Sequence, residues 1–305
     1  MNIFGLSEKY VDVEDECCGT CGGTCGGIET IVNVDPRTIE RLHGGCLAIS
    51  VSDVSDTWEA LENSFAILQN GSTSVLATVQ DGTIIHVRPG TAYGIQGKNV
   101  EQIFAIDALL NPNIPLVTVT GVAGTGKTLL ALAAAIENRK YFRQILMARP
   151  VMPMGKDIGY LPGSMEDKMG PYMAPLKDNI AVIKEQFKDG DRAARVITEM
   201  IEREKLVVEP LTYIRGRSLS RSFLIVDEAQ NLTPHEVKTI VTRAGEGTKI
   251  VLTGDVDQID NQKLNSYNNG LADLTRKFKD QKLYAHIHLT KSERSPLAKL
   301  AGELL

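Results

Sequence analysis

Several things are scarce in this 305-residue chain. Basic residues do not outnumber acidic ones: the formal net charge is −5, so any nucleic-acid surface must be local rather than global. Aromatic residues make up only 5%, which leaves no evident base-stacking platform beyond Tyr160 and Tyr172. Long apolar runs are missing, and the Ala/Leu-rich stretch Thr128 to Ile136 falls far short of a membrane span. Met1 to Glu16 is acidic and lacks the apolar stretch of a secretory signal. The expectation is a cytoplasmic protein with no membrane partner.

Cysteine is rare except in one place. Four of the five lie in Cys17-Cys18-Gly-Thr-Cys21-Gly-Gly-Thr-Cys25, and the fifth is Cys46. The spacing is compatible with zinc, an iron–sulfur cluster or redox chemistry. Flanking glycines, and the lack of a histidine before His43, weigh instead for an unligated flexible leader over residues 1–27.

Residues 28–92 read as a small β-rich, barrel-like domain. Short β-branched runs (Cys46 to Val51, Ser74 to Val79, Thr83 to Val87) are separated by the turn dipeptides Asn70-Gly71 and Asp81-Gly82. One helix is predicted around Asp35 to Leu42. From residue 93 the pattern changes. A helix over 100–110 is followed by strands at 115–120, 143–148, 205–209, 222–226, 248–252 and 284–289. Helices are predicted at 127–138, 176–187, 191–204, 234–244, 270–279 and 296–304. Such alternation predicts a parallel sheet covered on both faces, with ligands beyond the carboxyl ends of the strands. Arg149 to Pro175, rich in proline, glycine and methionine, reads as a long irregular loop.

The most specific motif lies at 121–128. Gly121, Val122, Ala123, Gly124, Thr125, Gly126, Lys127 and Thr128 form a complete G-x-x-x-x-G-K-[ST] loop between a strand and a helix. Glycines let backbone N–H groups wrap a phosphate chain, and the helix N-terminus adds partial positive charge. Lys127 is expected on the β- and γ-phosphates of ATP, and the Thr128 hydroxyl on Mg²⁺.

Other candidates follow from position. Asp227 and Glu228 end the apolar run Phe223 to Val226: Asp227 is expected to hold Mg²⁺ and Glu228 to polarise the attacking water. Thr253 or Gln258, after the next strand, could sense the γ-phosphate. Gln102 could read the adenine edge with its amide. Arg294 is a candidate arginine finger. Arg215 and Arg217 could meet nucleic-acid phosphates or a neighbour's nucleotide. A phosphotransferase using the same loop ranks lowest, because Glu228 and Gln258 point to water activation.

Together these segments resemble the PhoH family, relatives of the superfamily 1 helicases. The carrying pieces are the loop 121–128, Gly159-Tyr-Leu-Pro-Gly163, Met169-Gly-Pro171, Tyr213-Ile-Arg-Gly-Arg-Ser218, Asp227-Glu-Ala-Gln230, Thr253-Gly-Asp255 with Gln258, and Ser292-Glu-Arg-Ser295. The resemblance covers residues 93–305 and implies a RecA-like P-loop NTPase fold. It further implies ATP and Mg²⁺ as cofactors and single-stranded RNA or DNA, RNA foremost, as partner. Residues 28–92 more loosely resemble the β-rich linker of fused PIN–PhoH proteins. About 27 residues precede it, too few for a PIN nuclease, so nuclease activity is not carried over. Only one ATPase lobe is legible. If Arg294 acts as a finger, it is expected to act between subunits, in a homo-oligomeric ring expected as a hexamer. The alternative is a regulatory ATPase that docks a protein partner, such as a separately encoded nuclease, in a nucleotide-dependent way.

Overall fold

The computed structural model describes residues 28–45, 49–54, 58, 60–150, 165–188, 190–214, 217 and 219–293, with backbone only for 165–169, 171 and 172. The cysteines, the segment 151–164, Lys156, Tyr160, Arg215, Arg294 and the helix expected at 296–304 lie outside the described residues, as do the side chains of Lys168 and Tyr172.

The β-rich region is an open five-stranded sheet rather than a barrel. Its strands are Glu29–Ile31 (β1), Ile49–Ser50 (β2), Phe65–Asn70 (β3), Thr73–Gln80 (β4) and Thr83–His86 (β5), in the order β1-β3-β4-β5-β2. β1 runs parallel to β3 and the remaining pairs are antiparallel. Edge strands of two and three residues are too short to close the sheet on itself. The helix Pro36–His43 (α1) covers one face with Ile39 and Leu42; Asp35 caps it by accepting from the Arg37 N–H.

The other face joins the larger unit. Phe65 packs on Phe104 of the helix Val100–Leu110 (α2), ring centroids 4.8 Å apart, and Ile28, Phe65, Ile67 and Leu76 share one apolar core with it. Asn63 Nδ2 donates to the carbonyls of Lys282 and Tyr284, both at 3.0 Å. A two-rung hairpin, Thr91–Ala92 (β6) with Ile95–Gln96 (β7), links the units.

The larger unit is a six-stranded, all-parallel sheet. Leu116–Gly121 (β8), Gln144–Arg149 (β9), Leu206–Pro210 (β10), Ser222–Val226 (β11), Lys249–Gly254 (β12) and Tyr284–Leu289 (β13) lie in the order β10-β9-β11-β12-β8-β13. α2, Lys127–Glu137 (α3), Met165–Lys184 (α4) and Arg192–Glu202 (α5) cover one face. Leu211–Ile214 (α6), Pro234–Val241 (α7) and Gly270–Phe278 (α8) cover the other. Near-continuous apolar strands are what two-sided burial demands. Among the described residues, no helix is long and apolar enough to cross a membrane.

One expected element changes. The second half of the supposed loop is helix: α4 begins at Met165, although Gly170, Pro171 and Pro175 read as breakers. Met173, Leu176, Ile180 and Ile183 recur at helical spacing and are buried against the sheet, which offsets the cost of the prolines.

Candidate nucleotide site

The sheet order brings the carboxyl ends of β8, β9, β11, β12 and β13 together, and the phosphate loop, Asp227, Glu228, Thr253 and Gln258 follow from those ends. β8 runs straight into the phosphate loop. Gly121 has φ 142°, and a Cβ there would collide with the Leu289 carbonyl of β13, so only glycine fits. Thr125 Oγ1 donates to the Val122 carbonyl at 2.9 Å and closes the loop on itself. Gly126, left-handed at φ 88°, precedes α3 and has no side chain to cap it. The first-turn N–H groups are thereby left to an anion. Lys127 Nζ donates back to the carbonyls of Gly121 (2.6 Å) and Val122 (2.8 Å), holding the ammonium at the loop's own mouth.

Gln102 lies behind this loop. Its Nε2 donates to the Thr125 carbonyl at 3.0 Å, and its Oε1 accepts from the Lys98 N–H at 2.8 Å. Both ends of the buried amide are engaged within the protein, so in this arrangement it braces the loop. Reading adenine would require exchange of those bonds.

The acids stand opposite. Asp227 follows β11 and its N–H donates to the Ala148 carbonyl at 2.8 Å. Its Oδ1 accepts from Thr128 Oγ1 at 2.6 Å and from Thr253 Oγ1 at 2.7 Å, so one carboxylate oxygen joins the ends of β11 and β12 to the first turn of α3. Glu228 is left-handed at φ 54°, an uncommon backbone for a residue other than glycine, and the turn redirects the chain at the strand end. Arg149 Nη2 donates to Glu228 Oε1 at 3.1 Å. Burial first, then the neighbouring Asp227 carboxylate, push the Glu228 carboxyl above its ordinary range; Gln230, Arg149 and Lys127 pull the other way. A carboxyl raised toward neutrality suits a proton acceptor.

Sequence reasoning missed the residue that organises this acid. Gln230 is fully buried, and its Nε2 donates to Glu228 Oε2 at 2.6 Å and to the Gln258 carbonyl at 2.8 Å. Its Oε1 accepts from the Asp255 N–H at 3.1 Å. A Cβ on Gly254 would collide with that Oε1, so the glycine of Thr253-Gly-Asp255 makes room for the amide. Gln258 itself is exposed, and its backbone carbonyl makes the contact. Thr253 meets Asp227 rather than open crevice. The signal for Gln230 was present in Asp227-Glu-Ala-Gln230; Arg149, one lone arginine at a strand end, carried none.

The segment after β13 lies on the phosphate loop. Glu101, at the start of α2, accepts from Thr290 N (2.7 Å), Thr290 Oγ1 (2.5 Å) and Lys291 N (3.3 Å). Glu293 N donates to the Gly124 carbonyl at 3.0 Å, and Asn99 Nδ2 donates to Glu293 Oε1 at 3.1 Å. Arg294, next in sequence, is outside the described residues. Arg217 is paired with Glu209 at 2.6 Å.

Known proteins are similar to this chain in sequence. A family model described as PhoH-like protein matches residues 94–304. Protein PhoH2 of Bacillus subtilis (strain 168) is 46% identical over 272 residues, 84% of this chain and 59% of that protein. Protein PhoH2 of Mycolicibacterium smegmatis is 39% identical over 244 residues, 78% and 54% respectively. A PhoH-like protein of Mycobacterium tuberculosis is 35% identical over 228 residues, 74% and 61%. The chain thus spans only about half to three-fifths of these relatives' length. Among solved structures, the Pif1 helicase from Candida albicans aligns with 65% of this chain and 40% of its own, at 16% identity and a TM-score of 0.33. Bacteroides sp Pif1 in complex with ADP-AlF4 aligns with 66% and 44%, at 17% and 0.30. These structural likenesses are weak.

Proposed function

The chain belongs to the PhoH family, and on that footing we propose that it is a Mg²⁺-dependent ATP hydrolase that acts on single-stranded nucleic acid. One observation carries the hydrolytic half: Thr128 of the phosphate loop and Thr253 of β12 converge on Asp227 Oδ1, with Glu228 the next residue. The Thr128 hydroxyl and the Asp227 carboxylate are hard oxygen donors, the kind Mg²⁺ takes alongside water and phosphate oxygens. When bound, the ion neutralises charge on the phosphate oxygens.

The protein's own groups do the rest. Lys127 exchanges the Gly121 and Val122 carbonyls for the β- and γ-phosphate oxygens. Glu228 takes a proton from the attacking water as its oxygen bonds to the γ-phosphorus and the bond to the bridging oxygen of ADP breaks. Gln230 and Arg149 hold the Glu228 carboxylate to that task.

The nucleic-acid half draws support from the family and from the carboxyl edge of the sheet. Tyr213, in α6 after β10, is 49% exposed, and Tyr267, after β12, is 59% exposed. Exposed aromatic rings at the edge that holds the nucleotide site are suited to stack unpaired bases. Ring assembly, with Arg294 serving a neighbour's nucleotide, belongs to the same proposal. Mixing tests it directly: Lys127→Ala and Arg294→Ala subunits, each inactive, regain hydrolysis together when the arginine works between subunits, and stay inactive when it serves its own loop.

The primary experiment is phosphate release from Mg·ATP with and without single-stranded RNA and DNA, beside Glu228→Gln. Stimulated release that the variant abolishes is expected. Release indifferent to every polynucleotide would sink the nucleic-acid half, and no release at all would sink the whole.

A further inference from the structure

A second polar structure runs along the outer side of the phosphate-loop strand. β13 is a sheet edge, and its register sets Tyr284 opposite Leu116, His286 opposite Thr118 and His288 opposite Thr120. Alternate residues share a face, so Thr118, Thr120, Tyr284, His286 and His288 form one row. Tyr284 OH lies 2.6 Å from Thr118 Oγ1, which lies 2.7 Å from His286 Nδ1. His286 Nε2 lies 3.5 Å from Thr120 Oγ1, which lies 2.9 Å from His288 Nδ1. The row stops one residue short of the Leu289–Gly121 pair, beside the phosphate loop.

Counting protons limits what this row can do. Each threonine hydroxyl has one proton and each neutral imidazole one N–H. Burial holds the Tyr284 phenol protonated, with its pKa raised to about 12, and lowers His286 to about 3. Burial also lowers His288, so both rings are neutral. Of the orderings that satisfy every pair, two keep both threonine protons within the row. In one, all donors point toward His288, which then carries its own proton on Nε2. In the other, all point toward Tyr284, and His288 shows a bare nitrogen.

The surroundings choose between them. The charged groups facing His288 are Glu101, Asp255, Lys127 and Asp257: three carboxylates against one ammonium. An N–H is attracted there and a lone pair is repelled. Glu101 is already engaged by Thr290 and Lys291. Asp255, only 5% exposed, uses Oδ1 to accept from the Asp257 N–H at 3.1 Å, and its buried Oδ2 has no hydrogen-bond partner among the described residues. A buried carboxylate oxygen without a donor is costly, and the donor chemistry it lacks is what His288 offers.

We propose that His288 is a positioning residue for ATP hydrolysis: fixed by Thr120 as the Nε2–H tautomer, it donates to Asp255 Oδ2 in the nucleotide-loaded site. This rests on the hydrolytic reading above. β8 lies between β12 and β13, so the contact spans the phosphate-loop strand. It pins the turn Thr253–Gln258 on which Gln230, and through it Glu228, depends.

The test has two arms. In the kinetic arm, His288→Leu lowers kcat about ten- to hundredfold, the worth of one hydrogen bond to a charged acceptor. KM for ATP stays within about twofold, since the contact serves the reaction rather than binding. His288→Gln, whose amide nitrogen reaches similarly far, restores part of the loss, and the His288→Leu/Asp255→Asn double variant is no slower than the worse single variant. Additive losses, or a raised KM with kcat intact, would overturn the proposal. The second arm needs neither turnover nor a variant at His288. Ring ¹⁵N spectra of the protein with Mg²⁺ and adenylyl imidodiphosphate should show His288 as the Nε2–H tautomer, with a resonance that moves in Asp255→Asn. The Nδ1–H tautomer, or a resonance indifferent to Asp255→Asn, would also overturn it. A wild-type protein that does not hydrolyse ATP would fail the hydrolytic reading, while the spectrum would still decide whether His288 meets Asp255.

Discussion

The Gln230 amide nitrogen lies 2.6 Å from Glu228 Oε2, and the same buried amide meets the Gln258 carbonyl and the Asp255 N–H. One uncharged side chain therefore couples the acid after β11 to the turn after β12. Gln230→Ala should leave nucleotide affinity nearly unchanged and lower kcat about tenfold or more, since it removes a hydrogen bond to a charged oxygen. Steady-state kinetics beside equilibrium nucleotide binding separates the two. An unchanged kcat would reduce Gln230 to core packing.

Glu228→Gln keeps the shape of the site and removes the base. ATP should bind within a few-fold of the parent affinity while single-turnover hydrolysis falls about 10²- to 10⁴-fold, the usual contribution of a positioned base. Retention of the parent rate would assign water activation elsewhere.

The pH profile should carry the signature of the raised Glu228 carboxyl. The base works only when ionised, so the rate rises with pH through a pKa lifted above the ordinary carboxylate range by burial and by Asp227. Arg149 acts in the opposite direction. Arg149→Met should therefore move the acidic limb of kcat to higher pH. A shift to lower pH would contradict the assignment.

Thr128→Val and Asp227→Asn should each raise the Mg²⁺ concentration for half-maximal hydrolysis by about tenfold or more, because each removes a hard oxygen donor. Thr128→Ser should restore it. Titration of Mg²⁺ at saturating ATP reads this out, and an unchanged requirement in both variants would remove them from the metal's surroundings.

Lys249 offers a stability test away from the chemistry. It begins β12 at the end of the strand opposite the crevice, and its Nζ donates to the carbonyls of Ala108 (2.9 Å) and Asn111 (2.7 Å) at the close of α2. Burial lowers its pKa to about 7, and burial raises that of Asp107 beside it to about 6. Lys249→Met strands both carbonyls and should cost about 1–3 kcal/mol in urea unfolding while sparing kcat. An equally stable variant would show that water replaces the ammonium at no cost.

Where the sequence misled, the causes are local. β3 went unrecognised because it lies between β1 and β4 with Phe65 to Leu68 all buried, so no alternation marks it. The start of α4 was hidden by Pro171 and Pro175, whose local preference yields to packing by Met173, Leu176, Ile180 and Ile183. α2, by contrast, was legible at both ends: Asn99 caps it by accepting from the Gln102 N–H, and its apolar spacing stops at Leu110.

The sequence by itself determined the phosphate loop, the acid pair and the alternation of strands with helices. Those rest on contiguous residues whose backbone needs, charge and periodicity can be read in order. Only the tertiary structure decided that Asp227 gathers Thr128 and Thr253, that Gln230 rather than the Gln258 side chain holds Glu228, and that Glu293 sits on Gly124. The first and the last join residues far apart in the chain, and Gln230 ties its near neighbour Glu228 to the distant turn after β12. The parallel order β10-β9-β11-β12-β8-β13 brings them together, because adjacency in a parallel sheet follows its crossovers and not the distance along the sequence.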